Sequence, residues 1–169
     1  MKYARATVSW LIVGWICFVF LSSLPYKFTA HPDTQHIFGT IAGWLGGLLG
    51  TTVGSLFRDF GAYAVGVIEL ITSLVLLLPA LLWIISRLTK SFFGVTRRRF
   101  HVIGGLMAST MMAGAVFFHL FTPLGIVVLH EGESDGGSLF YAAASILVLG
   151  IVLAIVNKGW SDEDRFAQI

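Results

Sequence analysis

Charge is the scarcest property of this chain. Asp, Glu, Lys and Arg make up only 12% of its 169 residues, whereas 56% of the residues are hydrophobic. Soluble domains carry about 25% charged residues. A charge content this low excludes an ordinary soluble globular domain and indicates a membrane protein.

Cysteine and catalytic motifs are also scarce. The single cysteine, Cys17, excludes an internal disulfide and a Cys-based metal site. The sequence contains no phosphate-binding loop, no paired-glycine nucleotide fingerprint and no Cys-x-x-Cys pair. It therefore names no reaction and leaves open whether the protein is an enzyme. The formal net charge of +2 suits anionic lipid headgroups better than nucleic acid.

Four apolar stretches dominate the rest of the chain. They cover residues 8–24, 61–85, 102–129 and 139–156, each near or above the ~17 to 25 residues that a spanning helix needs. We therefore expect an all-α integral membrane four-helix bundle that forms a single domain over residues 1–169.

The basic residues predict the orientation of the bundle. Of the basic residues, only Lys27 and Arg58 lie on one predicted side of the membrane. The other side carries Lys2, Arg5, Arg87, Lys90, Arg97, Arg98, Arg99, Lys158 and Arg165. Because Lys and Arg accumulate on the cytoplasmic side, we expect a multi-pass protein of the bacterial inner membrane with both termini in the cytoplasm.

The outer side is acidic and bears histidines. His31, Asp33, His36 and the His130-Glu131 pair lie in the predicted outer connections. Pro32 prevents the first three from forming one helical face, so solvated loops are favoured over a metal site.

Residues 37–57 form a further apolar run. A fifth span here would move the arginine triplet to the outside and separate the termini, against the charge rule. We expect instead an interfacial or re-entrant helix on the outer face. Its glycines would allow close contact with another helix: Gly39, Gly43, Gly46, Gly50 and Gly54.

Two titratable side chains, Glu69 and His119, lie inside the apolar stretches. Such residues are costly in a membrane and by default indicate a functional site. Helical spacing turns both toward the bundle interior, and Lys27 lies where its long side chain can reach back toward Glu69. We predict a binding pocket near the outer leaflet formed by Lys27, Glu69 and His119, with Tyr26 and Thr72.

A structural interpretation accounts equally well for each residue alone. Glu69 would tie helices together, Lys27 would extend to the headgroups and His119 would be a hydrogen-bonded core imidazole. Together, an acid and an imidazole in an apolar pocket can hydrogen-bond both carbonyls of a quinone and exchange protons with them. Quinone is therefore the candidate cofactor.

Three segments carry a resemblance to a known family. They read SLPYKF at 23–28, GVIELITSLVLLLP at 66–79, and MAGAVFFHLFTPLGIVV at 112–128 followed by DGGSLF at 135–140. In this order they resemble the DoxX-like family of small four-helix bacterial membrane proteins. The resemblance implies that fold. It also implies a link to quinone-coupled thiosulfate oxidation, or to oxidative-stress defence as a partner of soluble redox proteins.

Three functions remain open at this point. The leading one is an accessory subunit of a membrane redox system that contacts quinone or quinol, with a membrane or soluble redox protein, or a second copy of the chain, as partner. The second is a non-catalytic scaffold that binds through the faces of Gly39 to Gly54. The third is a carrier of protons or small solutes, ranked lowest because the inner half shows no matching ionisable residue.

Overall fold

Helices account for nearly all of the structure. A computed structural model describes residues 2–90 and 96–158, and side chains from residue 4 onward within these ranges. The helices are α1 (Lys2–Phe28), α2 (Pro32–Leu49), α3 (Thr51–Thr89), α4 (Arg97–Phe121) and α5 (Ser138–Asn157). Two short strands, β1 (Leu129–His130) and β2 (Glu133–Ser134), pair antiparallel. The expected all-α class is confirmed.

Four of these helices are long and apolar enough to cross a membrane. They are Ala4–Phe28 within α1, and all of α3, α4 and α5. Their side chains toward the outside are large and apolar, for example Leu11, Leu74 and Ile155. The chain is therefore a multi-pass membrane protein, as its composition indicates.

The predicted interfacial segment 37–57 is divided between two helices. Helix α2 ends at Leu49, Gly50 has a φ of 96° that favours glycine, and α3 begins at Thr51. With 39 residues, α3 is about 58 Å long, roughly twice the ~30 Å of a hydrocarbon core. Helix α3 is therefore longer than a hydrocarbon core is thick, and α2 packs against it.

The glycines of this segment have different surroundings. A Cβ on Gly54 would lie 2.9 Å from the Cα of Gly46, so these two glycines mark the close approach of α2 and α3. Gly50 forms the turn. Gly39 and Gly43 have no atom within 4 Å of such a Cβ and face open space.

The third span is shorter than expected. Helix α4 ends at Phe121, whereas the apolar pattern extends to residue 129. Thr122 is extended, with φ −123° and ψ 168°, because the following Pro123 disfavours the helical conformation of its predecessor. Residues 122–128 therefore form a loop that leads into the strand pair.

The four long helices contact one another around a shared apolar core. Helix α1 contacts α3 and α5, and α4 contacts α3 and α5. The buried core side chains are Ile12, Val13, Ile16, Cys17, Phe20, Leu76, Ala108, Met112, Ala143, Ile146 and Leu153. Small polar side chains are buried among them, including Thr72, Ser73 and Ser109.

The two ends of this assembly carry opposite charge. What we call the basic end comprises the start of α1, the end of α3, the start of α4 and the end of α5. Its described cations are Arg5, Arg87, Lys90, Arg97, Arg98, Arg99 and Lys158. The opposite, acidic end carries Asp33, Asp59, Glu69, Glu131, Glu133 and Asp135, with Lys27 and Arg58. The Lys2 side chain and Arg165 lie outside the described residues.

Helices α4 and α5 meet at a pair of glycines. A Cβ on Gly105 would lie 2.7 Å from the carbonyl oxygen of Gly150, and the Ser109 hydroxyl donates to the Leu147 carbonyl at 2.9 Å. Small residues allow this approach, as is common between membrane helices.

We predict that Gly105→Ala destabilises the protein, because the added methyl group forces α4 and α5 apart at this contact. Thermal unfolding in detergent, followed by circular dichroism, should show a clearly lower midpoint. Gly114→Ala, also in α4 but with no atom within 4 Å, is the matched control and should be neutral or slightly stabilising. Equal effects of both substitutions would contradict the assignment of Gly105 to a tight interface.

Candidate functional site

Lys27 and Glu69 form an ion pair between α1 and α3. The Lys27 Nζ lies 2.8 Å from Glu69 Oε2 and 3.1 Å from Oε1. Ser23 Oγ lies 2.7 Å from Glu69 Oε2 and accepts a hydrogen bond from Nζ at 2.8 Å. The two charged side chains are only 14% and 5% exposed. Both carboxylate oxygens thus have donors, as a buried charge requires.

Local sequence features bring these groups together. Ser23 and Lys27 are four residues apart and share one face of α1. Lys27 lies in the last turn of α1, where a cation is favoured by the helix dipole. Gly66 of α3 lets the helices approach, since a Cβ there would lie 3.1 Å from the Phe28 ring.

An open cavity of about 670 Å³ lies beside Lys27, between the end of α1, helix α2 and the first turns of α3. Its polar wall includes Lys27, Thr34, His36, Arg58, Asp59 and Tyr63. Glu69 is not part of the wall. A ligand in the cavity would therefore contact Lys27 and not Glu69.

His119 does not bond to this pair. Its Nδ1 lies 2.7 Å from the carbonyl oxygen of Gly125, and its ring meets Phe140 edge-on at 5.7 Å. A carbonyl only accepts, so Nδ1 carries the proton. The side chain is 7% exposed and fixes the loop that follows α4.

Tyr26 and Thr72 also have other surroundings than the predicted pocket. Tyr26 is 51% exposed and its ring packs against His31 at 4.8 Å. Thr72 is fully buried, and its hydroxyl donates to the Ile68 carbonyl one turn earlier at 2.7 Å. Of the five residues predicted to form the pocket, the hydrogen bonds join only Lys27 and Glu69.

Asp135 organises the loop that His119 supports. Its carboxylate accepts from the backbone N–H groups of Val128 at 2.8 Å, Gly137 at 2.9 Å and Leu139 at 3.1 Å. Burial acts to raise the pKa of Asp135, but hydrogen bonds from Gly137, Leu139 and Val128, with the charge of His119, outweigh burial and lower that pKa.

The outer histidines gather around one carboxylate. Asp33 lies 2.8 Å from His130 Nδ1 and 3.3 Å from His31 Nδ1, and the rings of His36 and His130 stack at 4.6 Å. Within the described ranges no group of three or more His, Cys, Asp or Glu side chains has a metal-binding arrangement. These contacts attach the strand pair to α2.

A second buried polar group, not predicted from the sequence, lies at the basic end. Ser9, His101 and Asn157 are 0%, 0% and 6% exposed, and Ser9 is hydrogen-bonded to each of the other two. The statement that this half lacks ionisable residues was therefore wrong. His101 directly precedes the predicted span 102–129, and its spacing of four residues from Arg97 was the available signal.

Comparison with known proteins adds no relative: no family model, no curated protein and no solved structure matches this chain.

We predict that Asp135→Asn lowers the thermal unfolding midpoint at pH 7, because the ionised carboxylate is the better acceptor for three N–H groups. Because the pKa of Asp135 is lower in the folded than in the unfolded protein, its carboxylate stabilises the folded state at any pH above the unfolded pKa. This stabilisation is lost as the pH falls through the pKa of the folded state. The difference between wild type and variant should therefore persist from pH 7 to about pH 5 and shrink below about pH 4. A difference that does not change with pH would contradict this role.

We also predict strong coupling between Lys27 and Glu69. Removing one partner of a buried pair leaves an uncompensated charge and costs about 3 kcal/mol. Lys27→Met and Glu69→Gln should each lower the free energy of unfolding in mixed micelles, and the double variant should lose clearly less than the sum. Additive losses would show that the two groups do not interact.

Proposed function

We propose that this chain is a small accessory subunit of a redox system in the bacterial inner membrane, and that it binds the headgroup of a quinone or quinol at its acidic end. The observation that carries this proposal is the Lys27–Glu69 pair beside a cavity of about 670 Å³. The volume falls within the ~300 to 1,000 Å³ typical of small-molecule sites.

The chemistry of the cavity wall suits a quinone headgroup. Quinone carbonyls accept hydrogen bonds, and Arg58 and Tyr63 in the wall carry donor groups. Phe38 and Tyr63, also in the wall, offer apolar faces to a flat ring. A quinone headgroup takes up protons when it is reduced. The electrons would come from a partner redox protein.

The polar contacts in this proposal differ from those expected on sequence grounds. His119 bonds to Gly125, so it is not the second group that holds the headgroup. His36 and Arg58 line the same cavity as Lys27. In this proposal they bind the headgroup in place of His119. The site therefore uses residues of α2 and of the extended start of α3.

The orientation follows from the charges. Seven of the described cations lie at the basic end and two at the acidic end, which favours a cytoplasmic basic end and cytoplasmic termini. The cavity then opens near the outer leaflet, where a quinone can enter from the lipid. Membership of the DoxX-like family is part of the same proposal and rests on the segments around Lys27, Glu69 and His119.

One observation favours the scaffold as a second candidate. Gly39, Gly43 and Gly47 repeat every four residues along α2, and none has an atom within 4 Å of an added Cβ. Such a stripe lets a second helix approach closely, from a membrane partner or from a second copy of the chain.

Co-purification separates the two candidates. We predict that protein purified in mild detergent retains quinone, and that Lys27→Gln lowers the retained amount roughly tenfold, as the loss of a charged hydrogen bond implies. Lys90→Gln, exposed at the opposite end, is the charge-matched control and should retain the wild-type amount. Chromatography of solvent extracts measures quinone per protein.

Gly43→Leu tests the scaffold in the same preparation. If it removes a stoichiometric protein partner, and neither wild type nor Lys27→Gln contains quinone, the scaffold function replaces the redox function. Equal quinone in wild type and in a folded Lys27→Gln variant would also contradict the proposed site.

A further inference from the structure

The α2–α3 hairpin, which is α2 with the first turns of α3, carries an exposed apolar surface around its turn. Leu48 and Leu49 end α2, Leu56 and Phe60 lie near the start of α3, and all four side chains are more than half exposed. Together with Val53, which is also exposed, we call these residues the apolar tip. Large exposed apolar patches mark interaction sites with proteins or with membranes.

The apolar tip continues into a long stripe on α3. Every third or fourth residue along one face of this helix has an exposed hydrophobic side chain: Val53, Leu56, Phe60, Tyr63, Val67, Ile71, Leu74, Leu77, Leu81, Ile84 and Leu88. Between residues 53 and 88 the stripe is about 52 Å long. Because α3 is one of the helices able to span a membrane, its stripe and the apolar tip form one continuous surface that lipid can cover.

The length of the stripe matches a whole membrane rather than its hydrocarbon core. The core is ~30 Å thick, and the headgroup regions bring the total to ~40 to 45 Å. A helix tilt of ~35°, within the range of membrane helices, places a stripe of about 52 Å within about 43 Å of membrane depth. No charged residue lies in the segment 37–57, although a helix in water carries charged or polar residues on its exposed face. Lipid therefore suffices to cover the whole stripe, including the apolar tip.

Ring contacts hold the hairpin beside the last turns of α4. Trp44 of α2 lies 6.2 Å from Phe117, and Phe57 of α3 lies 5.7 Å from Phe118. Phe117 and Phe121 are exposed on α4, which is itself long and apolar enough to cross a membrane. Tryptophan is enriched where membrane and water meet. The hairpin is thus attached to the apolar end of a spanning helix and does not stand apart from it.

We propose that the apolar tip is a lipid-binding surface, covered by phospholipids of the leaflet at the acidic end from their upper acyl chains to their headgroups. The element expected at the interface is then the turn of the hairpin rather than one helix. Arg58 and Asp59 line the open cavity, which keeps these charges in contact with water. The proposal does not depend on the quinone site.

Spin labels on single cysteines test the proposal in the full chain, reconstituted into vesicles of phosphatidylethanolamine and phosphatidylglycerol. The buried Cys17 is first replaced by Ser. Leu49→Cys and Leu56→Cys each place a label on one helix of the hairpin, so one position remains if the other variant does not fold. Electron paramagnetic resonance measures how often each label collides with oxygen, which concentrates in lipid, and with a water-soluble nickel chelate.

We expect the ratio of oxygen to nickel collisions at both tip positions to be several-fold higher than at Glu133→Cys. Glu133 is an exposed residue of β2 at the same end and is the control for a label in water. The matched control for a label in lipid is Leu74→Cys, on the same face of α3, which should give the highest ratio.

Two results would overturn the proposal. A ratio at the tip equal to that of Glu133→Cys would place the hairpin turn in water. Low collision rates with both reagents would show that protein covers the tip. If those low rates rise when the protein is diluted with lipid, the covering protein is a second copy of the chain; if they do not, it is a tightly bound partner.

Discussion

The arrangement of the acidic end depends on one interaction, the pairing of Lys27 with Glu69 across α1 and α3. Removing a carboxylate and an ammonium from water costs several kcal/mol for each ion, and good geometry with further hydrogen bonds is needed to offset it. Ser23 supplies such a bond, and Gly66 allows the necessary approach of the helices. The pair therefore fixes where the end of α1 meets α3, and with it one wall of the cavity.

Two hydrogen-bonded groups of buried polar side chains lie toward opposite ends of the long helices. Ser23, Lys27 and Glu69 lie toward one end and Ser9, His101 and Asn157 toward the other. Between them, Val13, Ile16 and Leu76 are almost completely buried. Thr72 and Ser73, also buried in between, donate to carbonyls of their own helix. Within the described residues no hydrogen bond therefore joins the two groups, which disfavours one continuous carrier pathway.

Hydropathy predicted the number of spanning helices because length and apolar content alone decide whether a helix can cross a bilayer. The approach of Lys27 to Glu69 was also predictable, since helical spacing placed Glu69 inward and Lys27 at the matching helix end. The division of residues 37–57 into two helices was not predicted. Gly50 was expected to allow helix packing, whereas its φ of 96° shows that it forms the turn between α2 and α3.

The partners of His119 and His101 could not be predicted from their position along a span or from helical spacing. His119 lies on an inward face, yet its partner belongs to the loop after Pro123, whose path hydropathy does not predict. His101 lies at the boundary of a predicted span, where a titratable residue does not by itself indicate a buried site. The structure shows that it is fully buried and hydrogen-bonded to Ser9 of α1.

The central claim is that Glu69 is an ionised carboxylate held by Lys27 inside the membrane. Infrared difference spectroscopy of the protein in bilayers at pH 7, with Glu69→Gln as the reference, measures this directly. The account predicts that the wild type has a carboxylate band that the variant lacks. A protonated carboxylic acid band assigned to Glu69 would contradict it.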